Sequence, residues 1–373
     1  MMQNVKINPY QFLVLVIFFT IGTGILIVPS VLATEAKQDA WIAAIIGMGI
    51  GLLVIWLFTT IALWFPHLTY IQINEKIFGK WIGKAVSVLF VSMAALYTAS
   101  LLYYSSTFIT TNMMPNTPPL ALNILMMGIV VMGVRLGLET IARSAEIFIV
   151  VFFILFLILV VFISPEIKFE NLQPIFETGT KTLVQSSIYF VTSSSLNAIV
   201  LLMIFPSLIN KMKQAKKSFL IGNLIGGIFI FIFTFLSISV VGADDTARQI
   251  YPGYELAKRI NVGDFLQRIE ELMGFLWFIA LYFKTILYFY ASVLGIAQIL
   301  NLQDYRPLTL PLGMIAVILS LVIYPNVVYQ KEIEQSTEIF ISIFIGLFLP
   351  LLLVIVYAFR RNKLKKNPDP ESP

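Results

Sequence analysis

Long apolar runs separated by short polar connections make up most of this chain. A helix needs about 20 apolar residues to cross a bilayer, and on that measure the runs predict ten spans. They lie at about 10–33, 41–64, 84–111, 119–138, 147–164, 184–208, 218–242, 273–300, 308–326 and 337–359. The expected fold class is an all-α polytopic membrane protein. Residues 66–83 mix charge with Ile73, Ile77, Phe78 and Trp81 at helical spacing, which predicts a short interfacial helix. The connection 165–182 is polar. The charged connection 243–272 reads as a two-piece surface helix, its second piece the amphipathic run from Phe265 to Met273.

Two of the ten runs are interrupted. Gly22-Thr23-Gly24 lies halfway along the first and Thr192-Ser193-Ser194-Ser195, followed by Asn197, along the sixth. Backbone that leaves the helix at membrane depth is tolerated only where protein buries it or a cavity adjoins it. Dividing the spans into two fives puts the interrupted helix first in each half, the pattern that marks a midplane site between inverted repeats. The repeats fall at about 10–164 and 184–359, within one transmembrane domain over 1–359. Freed N–H groups at one half-helix end would hold a carboxylate or hydroxyl, and freed carbonyls an ammonium group. Close packing of small residues is the alternative account of each break taken alone. Gly47, Gly49 and Gly51 in span two are read as such a packing face.

Three other patterns add chemistry. On span three, Tyr97, Ser100, Tyr104, Thr107 and Thr111 share one helical face, and a polar stripe inside a membrane faces protein or water. On span eight, Lys284 lies ten or more residues from either end, roughly 15 Å at the helical rise. A charged lysine at that depth costs on the order of 2.5–3.5 kcal/mol, so it should face a cavity, an anionic partner, or the carbonyls of a broken helix. Trp277, Lys284, Tyr288, Ala291 and Gly295 share its face. Asp and Glu are read as absent from the spans, so either the ligand supplies the counter-charge or the amine is neutral. Span five, all Ile, Val, Phe and Leu, is expected to face lipid over much of its surface.

Composition narrows the class. With 58% hydrophobic and 12% charged residues in 373, the chain departs from the soluble norm of about a quarter charged. Its net charge of +5 resides in short connections, which argues for membrane orientation and against nucleic acid. Placing both termini in the cytoplasm gathers about 16 Lys and Arg on that side against about 8 outside. The stretch 360–373 is then a basic, disordered cytoplasmic tail. The first run exceeds the roughly 7–15 residue core of a signal peptide and is read as a span. With no Cys and one His (His67), the chain offers no thiol chemistry and no usual metal cluster, so no metal or other cofactor is expected. Lacking a nucleophile–base pair or phosphate loop, it does not read as an enzyme. One lysine is not the charged ring of a channel.

The break Ile21-Gly22-Thr23-Gly24-Ile25-Leu26 and the broken sixth helix resemble the amino acid–polyamine–organocation transporters, with their five-plus-five inverted, LeuT-like fold. More narrowly, the chain resembles the spore germination permeases, the B subunits of nutrient germinant receptors. The resemblance is carried by Gly79-Lys80-Trp81-Ile82-Gly83, Asn171-Leu172-Gln173-Pro174, Phe205-Pro206 with the lysines of 211–217, Tyr251-Pro252, and Arg268-Ile269-Glu270 leading to Trp277. It implies a subunit that binds an amino acid, sugar or nucleoside and signals to A and C partner subunits in the spore inner membrane. The implied pocket uses Gly22, Thr23 and Gly24, Tyr97, Thr192, Ser193, Ser194 and Asn197, and Lys284 with Tyr288. Proton-coupled relatives carry a lysine on helix five, where residues 147–163 here have no ionisable group, which weighs against active uptake. An ion-driven amino acid permease is the rival reading, and a conducting subunit a second.

Overall fold

The first span is two half-helices. In this computed structural model, which describes residues 6–260 and 270–366, α1 (Pro9–Ile21) starts at a capping box in which the Asn8 side chain accepts from the Gln11 amide and Gln11 answers to Asn8. It stops at Gly22, whose φ of 30° lies in the left-handed region that favours glycine. Helix α2 (Gly24–Ala36) then resumes. A single 3-10 turn joins it to α3 (Ala40–Ala62), so 24–62 forms one apolar run of 39 residues.

The remaining helices follow the predicted order. The chain continues through α4 (Tyr70–Phe78), α5 (Lys80–Asn112), α6 (Pro119–Leu136) and α7 (Leu138–Ile163). The second half comprises α8 (Thr180–Ser194), α9 (Met212–Leu236), the short α10 (Ala243–Arg248) and α11 (Pro252–Lys258), α12 (Glu270–Ile299) and α13 (Arg306–Val322). The last span is assembled from α14 (Val327–Gln335), α15 (Thr337–Ile343), a π-helical turn over Phe344–Phe348, and α16 (Leu349–Lys366). Eight helical runs among the described residues have the length and apolarity to cross a membrane. The shorter apolar α1 and α13 complete ten spans, because α1 and α2 together make one and 24–62 contains parts of two.

Two groups of helices face each other. Helices α1, α2, α3, α8 and α9 pack among themselves, and α5, α6, α12 and α13 do likewise. Close approach of α9 to α1 requires small residues: a Cβ at Gly226 would stand 2.5 Å from Thr20 Cβ and 3.2 Å from the Ile17 carbonyl. The predicted packing face on α3 is present in part, Gly47 meeting Phe190 and Gly51 meeting Ser195, whereas Gly49 has nothing within 4 Å. Helix α7 presents Val150, Phe153, Ile154, Leu157 and Val161 outward and buries Phe152, Phe156 and Leu159, as its uniform apolarity suggested.

The predicted short helix is present as α4 and packs against the protein: Tyr70, Ile71, Ile73, Asn74 and Ile77 are buried, and a Cβ on Gly83 would lie 2.5 Å from Glu75 Cα, so α4 and α5 are in backbone contact. Of the surface connection, α10 and α11 form its first part, whereas the amphipathic run from Phe265 lies outside the described residues up to the start of α12 at Glu270. The basic cluster after residue 359 prolongs α16 as far as Lys366, and Arg360 Nη1 donates to the Ile77 carbonyl. The end of that tail, 367–373, lies outside the described residues.

Connections at the two ends are tied down by specific bonds. Asp39, fully buried, accepts from the amides of Phe176 at 2.9 Å and Thr178 at 3.0 Å, which fastens the connection 165–179 over the turn between α2 and α3. At the opposite end, Ile7 pairs with the chain leaving the sixth span. Its amide donates to the Leu208 carbonyl at 3.0 Å and its carbonyl accepts from the Asn210 amide at 3.1 Å.

Candidate functional site

The two interruptions differ in kind. The first is a true gap, where Gly22 still donates to the Phe18 carbonyl at 2.9 Å and winding restarts with Leu26 and Ile27 both donating to the Thr23 carbonyl at 3.2 Å. The second is a change of winding. Helix α8 ends at Ser194 and the chain continues as a 3-10 helix over Leu196–Met203, an unusually long stretch for that tighter winding. Serine and threonine hydroxyls explain part of this, since they compete for backbone carbonyls: Thr192 and Ser193 both donate back to the Tyr189 carbonyl, at 2.8 and 3.0 Å. The change of pitch is held from outside by the last span. There the π-helical turn places Gly346 so close that an added Cβ would be 2.7 Å from the Leu196 carbonyl.

Lys284 joins the two interruptions. Its side chain is 3% exposed, its Nζ donates to the Ser193 carbonyl at 3.0 Å and to Thr23 Oγ1 at 3.5 Å, and it stands 5.5 Å above the Phe19 ring. The glycine of the first break makes room for it, since a Cβ at Gly22 would sit 2.1 Å from Lys284 Cδ. Lys284 therefore takes both fates foreseen for it: it faces a cavity and it bonds to a carbonyl of the altered helix. A lysine on α12 thereby bridges from one helix group to the other.

Around it lies a small hollow, with about 60 Å³ open to the centres of water molecules, several times the roughly 10–15 Å³ one water needs. It is lined by Thr23, Thr192, Ser193 and Asn197 from the interrupted spans, by Tyr97, Ser100 and Tyr104 from α5, and by Lys284 and Tyr288 from α12. Of the polar stripe on α5, these three residues reach the hollow while Thr107 and Thr111 do not line it. Tyr288 stacks edge-on against Tyr97 with centroids 5.5 Å apart and leans on Phe19 at 5.1 Å. Its hydroxyl is buried and has no hydrogen-bond partner. A buried orphan donor of this kind is uncommon and calls for an explanation.

Three predicted residues support the hollow from behind. Gly22 abuts the Lys284 stem and Gly24 packs against Ile230 Cδ1, neither contributing to the lining. Ser194 is turned away: its hydroxyl bonds to the Phe190 carbonyl at 2.6 Å and to Ser195 at 3.2 Å. At 100° per residue, facing the hollow with Ser193 sends the next side chain toward α9. There Asn223 links the two breaks a second time, accepting from Ser195 Oγ and donating to Thr20 Oγ1, each at 3.2 Å.

The reading that no acid reaches the spans is overturned. Glu334 and Glu338 line the hollow, because the chain after α13 turns inward as α14 and α15 before continuing as α16. Glu334 Oε1 accepts from Gln330 Nε2 at 2.7 Å, Glu338 Oε1 accepts from the Tyr324 hydroxyl, and the Glu338 carbonyl accepts from Tyr97 at 3.3 Å. Ser342, also from α15, bonds Tyr97 at 2.9 Å and donates to Asn197 Oδ1 at 3.0 Å. The available signal was spacing: Gln330, Glu334 and Glu338 recur every fourth residue, one face of a helix.

Two helix groups meeting at paired interrupted helices, with a polar hollow between them, define an all-helical membrane protein with a five-plus-five inverted repeat, the LeuT-like fold. Its backbone superposes on MhsT in complex with L-phenylalanine with a TM-score of 0.65 at 15% identity, covering 93% of this chain and 97% of that one. It matches Mhp1, a nucleobase-cation-symport-1 family transporter, with a TM-score of 0.66 at 12% identity, covering 96% and 80%. Within that class the chain belongs to the spore germination protein family, whose pattern matches residues 6–328. It is 28% identical to spore germination protein KB of Bacillus subtilis (strain 168) over the full length of both chains.

Proposed function

We propose that this chain is the nutrient-binding membrane subunit of a spore germinant receptor, recognising a small solute in the hollow between α2, α5, α8 and α12. One observation carries the reading: Lys284, deep in the bilayer, joins both interrupted helices beside a polar cavity that Tyr288 also lines. Ligand atoms arriving there would meet donors already desolvated and oriented. An anionic group would compete with the Ser193 carbonyl for the ammonium, so binding alters the contact that holds α8 to α12. A solute can shift that balance only by its different affinity for the two arrangements.

Membership in the spore germination family and the L-phenylalanine held by a protein of the same fold support a small nutrient as ligand. In this reading the chain works as one transmembrane domain in the spore inner membrane with both termini cytoplasmic, passes the signal to A and C partner subunits, and performs no catalysis. The test is a thermal-shift screen of the purified chain against free amino acids and neutral monosaccharides, followed by germination dose-response of spores carrying Lys284→Ala. A ligand that stabilises the wild type and not the variant is the expected result. Failure of every compound together with unchanged germination in the variant refutes it.

The fold shared with a nucleobase-cation-symport-1 family transporter and a Na+-coupled sialic acid symporter supports a second reading as an ion-driven amino acid permease. Radiolabelled uptake into proteoliposomes separates the two, since only a permease accumulates solute against its gradient.

A further inference from the structure

A second cavity lies at the end of the bundle where α6 and α12 finish and α7 and α13 begin. It has about 400 Å³ open to the centres of water molecules and no lining residue in common with the hollow. Thr69, ahead of α4, and Leu208, where the sixth span ends, line it together with α12 and the turns 136–140 and 303–306. Three sets of donors belong to this lining. The amides of Leu138, Glu139 and Thr140 open α7 without a side-chain cap, the first bond inside that helix being the one Ile141 makes to the Gly137 carbonyl at 3.3 Å. Gln298, 9% exposed, has its Oε1 fixed by the Thr69 hydroxyl at 2.7 Å, while its buried Nε2 has no hydrogen-bond partner. Arg306, part-buried beside the Tyr305 hydroxyl, brings a guanidinium. The two acids of the lining are already engaged, Glu139 in an ion pair with Arg143 and Asp304 as acceptor from the Arg306 amide at 3.1 Å.

We infer that this cavity is a binding site for a phosphate group, its oxygens taken by the first-turn amides of α7, the Gln298 amide and the Arg306 guanidinium. A helix N-terminus suits an oxyanion, and a guanidinium matches two phosphate oxygens at once. A cation would meet only acids that have partners, and an apolar solute would leave the Gln298 amide unsatisfied. The phosphate is either a free ion or the headgroup of an anionic phospholipid, since the cavity lies where four spans begin or end. With both termini cytoplasmic, that edge belongs to the cytoplasmic leaflet, where anionic lipids gather. Because the end of the sixth span and the α12–α13 turn both line the cavity, an occupant favours the arrangement of the helix groups that holds them at this separation.

The experiment takes the full-length chain in detergent and measures its thermal unfolding midpoint against inorganic phosphate, with sodium chloride at equal ionic strength as the control. The measurement is repeated in nanodiscs of phosphatidylcholine alone or mixed with phosphatidylglycerol. A saturable rise of the midpoint beyond the control is the expected result. A rise with phosphate alone identifies a free ion, one with phosphatidylglycerol alone a lipid headgroup, and one with both a site that reads the phosphate group itself. In Arg306→Gln the half-saturating concentration should increase about tenfold or more, the worth of one hydrogen bond to a charged group. Thr140→Glu should fold normally, because a carboxylate in the first turn suits the helix dipole and Thr140 is exposed, yet its charge should repel the anion and abolish the rise. That variant decides should Arg306→Gln fail to fold. The inference is overturned if neither phosphate nor phosphatidylglycerol moves the midpoint beyond the chloride control, or if the rise persists unchanged in Thr140→Glu.

Discussion

The Lys284 ammonium donates to the Ser193 backbone carbonyl at 3.0 Å, a hydrogen bond between side chain and main chain that spans 91 residues of sequence. It connects the helix group containing α5 and α12 with the group containing α1, α2, α8 and α9. Because Thr23 is the ammonium's other partner, one cation senses the position of both interrupted helices. That arrangement makes Lys284 a contact whose loss should be felt at the level of signalling before that of folding.

Lys284→Ala is accordingly expected to shift the nutrient dose-response by at least about tenfold while the protein still accumulates in the membrane. Loss of the ammonium leaves the Ser193 carbonyl without that donor, which costs about 1–3 kcal/mol and is tolerable in a chain of this size. Germination curves with parallel membrane immunoblots check both parts.

Tyr288→Phe separates recognition from stability. Its hydroxyl makes no hydrogen bond within the protein, so removing it should leave the thermal unfolding midpoint unchanged or slightly raised. Ligand affinity should fall, by about 1–3 kcal/mol if the hydroxyl meets a charged ligand group. A drop in the midpoint would show that Tyr288 is bonded within the protein and sink its assignment to the pocket.

Gly22→Ala should be more damaging than Gly24→Ala. The first combines a positive φ with a Cβ driven into the Lys284 stem, and backbone strain of that kind alone costs on the order of 1–3 kcal/mol. The second meets only the far end of the Ile230 side chain, which can move. Thermal unfolding of the two variants in the same detergent measures the order.

Asn223→Ala removes the second link between the breaks and should lower stability by about 1–3 kcal/mol without changing which nutrient is preferred. Unchanged stability would mean that Thr20 and Ser195 find other partners. Gly226→Leu should be worse, since its side chain would have to displace α1 itself.

Much of this protein follows from the order of its residues alone. Lengths of apolar runs predict the ten spans because a bilayer fixes how many helical residues cross it. Glycines at 22 and 24 predict a gap because no water is available there to satisfy a broken helix, and Lys284 was expected to face inward because lipid offers it no partner. Tertiary packing alone decided the rest. The sixth span was read as a second break, and the structure sets its form: the α-helix gives way after Ser194 to 3-10 winding over Leu196–Met203, with Gly346 of the last span close against Leu196. Glu334 falls in the connection before span ten and Glu338 in the first turn of that span, and only the inward turn of α14 and α15 brings them to the hollow. Local composition reports the cost of placing a group in lipid or water, but which group receives a partner depends on segments that meet across hundreds of residues.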